Sequence, residues 1–496
     1  MVRHGNIVKI KTLIVSLLFS TIMISCSQMA DYSEDSPSGE ILINDGDFYT
    51  QTTSVTLSID VPEAEEMCFS NDKATWTAWE TYSDSKSWVI DSGHWIKTVY
   101  GKFRKSGKEI GVFSDGIYPL IQQKIYAIDG VTNNLFGGGN WGFTVENLCV
   151  SDNGNTVIVG AILNVNAVYI YKKNGSGWDE IKIESPDGNN ITFGNAIACT
   201  PDANIIIIGA EQKPCFYIYE WNGSLYNKTI TIDSPTPTET NDFAATVSIS
   251  DDGKKIAVGS RRYPAGIETG AVYLYERNKS SWPYYEKRFE GLDSAADDYY
   301  GLGVKISGDG KTLAVGAPGY DSRKGAVYIY KLSGTVWNMV KKFSGETDYL
   351  LGRHIGMSYN GNRIIASERV WSNGNTNQGA AHIYSWNGST YTETKRLTAS
   401  DGVANNKFGY CVSMSSDGNM IAIGAPGIST AIGKAYVYGF NGTDWIEEHK
   451  LTASDGLAGD FYGNMVAISG DGSVIAVGAP MDDITYTDQG SVYLYY

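Results

Sequence analysis

Arginine recurs beside aromatic rings at three places some fifty to sixty residues apart: Arg261 and Arg262 with Tyr263, Tyr320 with Asp321 and Arg323, and Arg369 with Trp371. Guanidinium groups next to rings are the composition of binding hot spots and of seats for anionic or sugar ligands. Arg261, Arg262, Tyr263, Tyr320, Arg323, Arg369 and Trp371 are therefore the ligand-binding candidates, set against the plainer reading that long loops collect such side chains by chance. Asp482, Asp483 and Asp488, around Tyr486, are weaker candidates for a cation, because spaced carboxylates in a loop are ordinarily just solvated. Catalytic signatures do not stand out. Beyond the first twenty-five residues histidine occurs at His94, His354, His382 and His449, without a metalloprotease helix, a nucleophile elbow or a cysteine–histidine pattern. FGGGNWG, from Phe136 to Gly142, opens a strand rather than a helix and lacks the Lys-Ser/Thr ending of a phosphate loop. The reading is a binding protein with no catalytic residue and no cofactor. Its alternatives are an enzyme acting on extracellular polysaccharide, whose two carboxylates are defined only by their separation in space, and a structural envelope protein.

The arginine-bearing segments occupy one place in a repeating unit. Seven copies of about fifty to fifty-seven residues run from about Leu135 to Tyr496, each with a Ser-x-Asp-Gly turn, an apolar run ending in Gly-Ala-Pro and a Gly-x-Val-Tyr-x-Tyr strand, or a relic of each. The sixth reads FGYCVSMSSDGNMIAIGAP from Phe408, and Ser151, Thr200, Ser250, Ser307, Ser358, Ser415 and Ser469 mark the equivalent position in all seven. Short strands at this period predict a β-propeller. Each copy supplies four strands, A to D, with Asp-Gly and Asn-Gly pairs at the tight turns because those turns need positive φ. The seventh copy stops after its third strand, and Ile121–Ala127 is left to supply the fourth, so the expected fold is all-β: a seven-bladed propeller locked by a strand from the other end of the chain.

In this order the A–B and C–D links share one face and are short. The B–C and D–A links share the other face, are long and variable, and carry the arginines, so a partner is expected there. Asn134, Asp298, Asn406 and Asp460 recur in the D–A links, where Asx side chains hold nearby amides. The Asn-x-Ser/Thr sites at Asn174, Asn222, Asn278, Asn387 and Asn441 all fall in C–D turns and read as turns.

The repeats resemble the FG-GAP family, known from integrin alpha subunits and bacterial surface proteins. Phe-Gly stands at Phe136, Phe193 and Phe408, with Tyr300 and Tyr462 as variants, and Gly-Ala-Pro at Gly316, Gly424 and Gly478. The alternating Asp/Asn calcium loop common in integrin repeats is replaced by the short Ser-x-Asp-Gly link, so the resemblance carries no metal over. Residues 40–120 have another texture. MCFSNDKATWTAWETY from Met67 and KTVYGKFRKSGKEIG from Lys97 resemble a bacterial immunoglobulin-like module, a small β-sandwich in which Trp76, Trp79, Trp88 and Trp95 are expected in the core.

At the front, Arg3, Lys9 and Lys11 precede an apolar stretch from Thr12 to Ile24, too short to span a bilayer. MISC, from Met23 to Cys26, resembles a bacterial lipobox, which implies a lipid on Cys26. The organisation expected is then a lipoprotein signal over 1–25, a flexible tether over 26–39, an immunoglobulin-like sandwich over 40–120 and the propeller over 121–496. Membrane contact would be through the N-terminal lipid alone, at the outer membrane or cell surface rather than the inner membrane. The formal charge is −16, from 39 basic and 55 acidic residues, which argues against nucleic acid and leaves an extracellular or envelope protein or glycan as the partner, in an adhesion or binding role. Besides Cys26, the cysteines Cys68, Cys149, Cys199, Cys215 and Cys411 lie mostly in apolar strands and read as buried thiols, with a Cys199–Cys215 bridge left open.

Overall fold

The computed structural model describes residues 39–44, 49–50, 54–90, 97–119, 122–139, 146–175, 177–188, 191–236, 242–278, 281–346, 350–370, 372, 376–427 and 432–496. The signal segment, Cys26, Trp95 and Trp371 lie outside them. The chain divides into two units, Met1–Phe48 with Ser54–Ile90 and Ile96–Ile117, and Tyr49–Thr53 with Asp91–Trp95 and Tyr118–Tyr496.

In the smaller unit, Glu40–Ile43, Ser54–Asp60 and Ser85–Val89 pair as one sheet, and Lys108–Pro119, Lys97–Lys105, Glu66–Ser70 and Glu80–Thr81 pair in that order in another. Alternate residues of both point inward, so Ile41, Leu57, Ile59, Phe69, Val99 and Phe103 share one core. The tryptophans depart from expectation. Trp76 lies under Lys102 at 4.1 Å and Trp79 under Arg104 at 4.3 Å, both only half-buried, because aliphatic and phenyl groups already fill the interior. Trp88 packs at the rim of that core and donates to Asn71 at 2.6 Å.

The larger unit holds, among its described residues, seven four-stranded antiparallel sheets. Six use consecutive strands, from Leu148–Val150 through Gly177–Glu184 in the first to Val412–Met414 through Trp445–Leu451 in the sixth. The seventh takes Met465–Ile468, Ile475–Ala479 and Ser491–Tyr495, and adds Gln122–Ile125 at its outer edge, with Val492 opposite Ile125 and Tyr495 opposite Gln122. The innermost strands touch one another in chain order, and that of the seventh sheet lies against that of the first. This is an all-β propeller architecture, with the four-residue helix Tyr320–Arg323 the only helix among the described residues.

The repeat motifs have local physical causes. In every sheet the marker hydroxyl donates to the Asx carbonyl or carboxylate two residues on, as Ser307 does to Asp309 at 2.6 Å, and accepts the amide at the start of the next strand, as from Thr312 at 2.9 Å. The residue after the Asx has positive φ in each, +66° at Gly310 and, in the second sheet where alanine stands, +54° at Ala203. The Phe-Gly aromatic packs edge-on against the first tyrosine of Val-Tyr-x-Tyr, as Phe408 against Tyr436 at 5.2 Å. That tyrosine donates in turn to an aspartate of the D–A link: Tyr169 to Asp129, Tyr328 to Asp293, Tyr436 to Asp401 and Tyr493 to Asp455. A lysine completes each lock, and the Lys342 ammonium holds the Asp293 carboxyl at about 2, well below its ordinary value. The fifth sheet changes both members together. Leu351 replaces the aromatic ring and His382 the tyrosine, and His382 sits buried between Glu368 at 2.8 Å and Glu393 at 2.9 Å.

Candidate functional site

The long links of the third, fourth and fifth sheets enclose a cavity of about 840 Å³. Arg261 and Arg262 come from the B–C link after Lys255–Ser260, Asp297 and Asp298 from the D–A link before Gly303–Ile306, and Arg323 from the B–C link after Thr312–Ala317. Arg353 precedes Ile355–Met357, and Arg369 follows Arg363–Glu368. Five guanidinium groups therefore meet around one space. Asp298 shapes the wall by accepting the Ala295 amide at 2.7 Å, as Asp460 does for Leu457 at 2.6 Å three D–A links on.

The five guanidinium groups share the lining with Asp297, Asp298 and Asp321, and two of the five are already paired. Arg261 is held by Asp242 at 2.7 Å and Glu211 at 3.8 Å, and Arg262 by Asp242 at 3.3 Å and Glu268 at 3.7 Å. Burial pushes Glu211 up to about 7 despite the neighbouring arginines. Burial pushes the Arg353 guanidinium down to about 9, with Arg369 and Arg261 adding repulsion, and it pushes Lys407 down to about 8, with Arg369 and Arg353 adding theirs. Arg369 lies 5.3 Å from the Tyr410 ring centre, and its Nε is buried without a hydrogen bond among the described residues. An anion entering here would relieve mutual repulsion among cations already drawn out of water.

Of the residues singled out by sequence, Arg261, Arg262, Arg323 and Arg369 line this cavity together. Tyr263 turns away: its hydroxyl accepts from Arg288 at 2.9 Å and its ring lies under that same guanidinium. Tyr320 donates to Asp293 at 2.9 Å beneath the Lys342 ammonium. Arg353 and Lys407 were missed, although a signal was present. Arg353 stands directly after the Phe-Gly position, where other copies carry Gly138, Asn195, Ala245, Leu302, Tyr410 and Asn464.

The aspartates near the end of the chain do not converge. Asp482 is buried, pairs with Lys124 at 2.7 Å and accepts from Tyr493 and Ser491, while Asp483 accepts the Asp488 amide at 2.8 Å. Among the described residues no group of three or more His, Cys, Asp or Glu side chains is placed to hold a metal ion.

A second cavity, about 170 Å³, lies among the innermost strands. Asp152, Asp251 and Lys305 line it together with Cys149, Cys199 and Cys411. Burial, with Asp152 adding repulsion, pushes Asp251 up to about 6. The Cys149 and Cys199 sulfurs are 2.8 Å apart. Cys215 is buried at the start of Cys215–Trp221, so Cys199 faces Cys149 and not Cys215 as sequence had left open.

Three segments, 286–330, 391–438 and 445–495, match the FG-GAP repeat family. Among solved structures, the chain is similar to the β-propeller domain of Cps50 (Swd1) from Myceliophteria thermophila, at 8% identity over 75% of this chain and 99% of that one, with a TM-score of 0.50. Chains of the mitotic checkpoint complex (13% identity, 75% and 90% covered, TM-score 0.48) and of Kuenenia stuttgartiensis hydrazine synthase (14%, 66% and 91%, 0.48) also match. The larger unit has a β-propeller fold that carries FG-GAP repeats over those three segments, a fold suited to a binding or scaffold module.

Proposed function

We propose that this chain is a non-catalytic binding module in which the seven sheets close into one seven-bladed propeller that takes an acidic protein or glycan into the five-arginine cavity. The cavity carries the reading: guanidinium groups from three consecutive sheets converge on one space of ligand size. Support for closure comes from the contact between the first and last innermost strands, and from the Phe136 amide donating to the Gln489 carbonyl at 3.2 Å. The lipobox-like MISC segment supports a lipid on Cys26, and with it display at the outer membrane or cell surface, the smaller unit serving as an immunoglobulin-like spacer. A carboxylate ligand would meet arginine forks at fixed positions, with Asp297 and Asp321 at the wall selecting against ligands whose charge is spread evenly.

Calorimetric titration of the chain with an oligouronide, a poly-glutamate peptide and a neutral oligoglucan tests this. Binding is expected for at least one acidic probe, weakening with salt and falling about tenfold or more in an Arg323→Ala/Arg369→Met variant, with the neutral probe inert. Equal binding by the variant, or tighter binding of the neutral glucan, overturns the reading.

A further inference from the structure

We infer that Cys149 and Cys199 form a disulfide that staples the first sheet to the second. Their contact is imposed by the backbone. The two innermost strands lie side by side, Glu146 bridges Ala196 in parallel, the Glu146 amide donates to the Asn195 carbonyl at 2.9 Å, and the Ile197 amide returns to the Glu146 carbonyl at 2.8 Å. Three residues further along each strand stand Cys149 and Cys199. Their sulfurs, at 2.8 Å, are already inside van der Waals separation, and the bonded distance of about 2.05 Å is reached by a small rotation of two side chains. The remaining described cysteines stand apart from this geometry: Cys411 donates to the Val466 carbonyl, Cys215 is buried in the third strand of its sheet and Cys68 in the smaller unit.

The surroundings also favour the chemistry. The hydrogen bond from Cys199 lowers the Cys149 thiol despite its burial, the Lys305 ammonium adds to the effect, and the Cys199 thiol is raised by the same bond. Either cysteine can attack first, and the steps are the same with the two exchanged. With a disulfide as oxidant, a small molecule or the active-site disulfide of a folding oxidase, the Cys149 thiolate attacks one sulfur, the S–S bond breaks and one thiolate leaves. Cys199 then gives up its proton and attacks Cys149 in the mixed disulfide, releasing the second thiol. Two protein thiols are oxidised, one oxidant disulfide is reduced to two thiols, and the chain is lighter by two hydrogens. Because the cavity is narrow, exchange is expected while the first two sheets assemble.

The test is refolding of the full chain in a glutathione redox buffer or in excess reductant, followed by alkylation and peptide mapping. In the redox buffer the peptides carrying Cys149 and Cys199 should be joined, with Cys68, Cys215 and Cys411 alkylated. The melting temperature should exceed that of the reduced chain by several degrees, a gain absent from Cys149→Ser. Complete alkylation of both cysteines in the refolded redox-buffer sample, or a link from Cys199 to Cys215, overturns the inference, and mapping of the wild-type chain decides this even where the serine variant does not fold. The outcome is independent of whether the arginine cavity binds an acidic ligand.

Discussion

Asp251 shows how single side chains in this fold trade stability against position. It opens onto the inner cavity near Asp152, and burial, reinforced by that second carboxylate, raises it to about 6 from 3.8. An acid raised on folding binds more protons in the native state, so its contribution costs nothing below about pH 4, grows through pH 6 and is fully unfavourable above that. Asp251→Asn should therefore raise the unfolding free energy at pH 8, by about 1 kcal/mol after discounting for a half-exposed, screened site, and with it the melting temperature, and leave both unchanged near pH 4. Scanning calorimetry at the two pH values checks this; an equal gain at both would mean that charge is not the cause. Residue-scale features were only partly legible. Four of the cavity arginines could be named because they sit in loops that the repeat register aligns, whereas Arg353 and Lys407 flank the Phe-Gly position and read as part of a structural motif. The Tyr–Asp–Lys locks escaped because their members lie about thirty-five to forty residues apart, as Tyr493 and Asp455 do, and carry no local pattern.

Glycine does at the level of the strand what hydrogen bonds do along it. A Cβ placed on Gly316 would overlap the Gly352 carbonyl of the next sheet, one on Gly424 that of Gly463, and one on Gly478 that of Gly137. Gly270, Gly325 and Gly379, with φ of +89°, +81° and +86°, form parallel bridges to Tyr300, Leu351 and Phe408 of the following copy. Neighbouring sheets thus meet backbone to backbone, and the Gly-Ala-Pro and Phe-Gly motifs are the two halves of that meeting. Gly478→Ala should cost about 2 kcal/mol or more by forcing the seventh sheet off the first. Gly177→Ala, whose added Cβ would meet only the Asn174 carbonyl at 3.8 Å, should stay within about 0.5 kcal/mol. Urea titrations of both variants measure the difference. Strand type and turn positions were legible because Asp-Gly, Asn-Gly and alternating apolar runs encode them locally. The reason for the glycines was not, since it lies in a sheet some forty residues away.

At the scale of the whole unit, the seam between the first and seventh sheets concentrates interactions from both ends of the chain. Lys124 pairs with Asp455 at 2.8 Å and Asp482 at 2.7 Å, while Trp178 of the first sheet donates to Gln123 and Tyr496 at 3.0 Å each. Deleting Gln122–Ile125 would strip the edge from Ser491–Tyr495 and lower the melting temperature by roughly ten degrees. A melt unchanged by the deletion would show that the strand is dispensable. The same register carries a topological consequence. With Tyr495 facing Gln122, the two ends of the repeat array stand a hairpin's width apart, so a short linker could splice them and new termini could open at an exposed turn such as Asn441-Gly442. On the proposed closure, which sheet comes first has no structural meaning, and the array is a cyclic word that could be read from any letter.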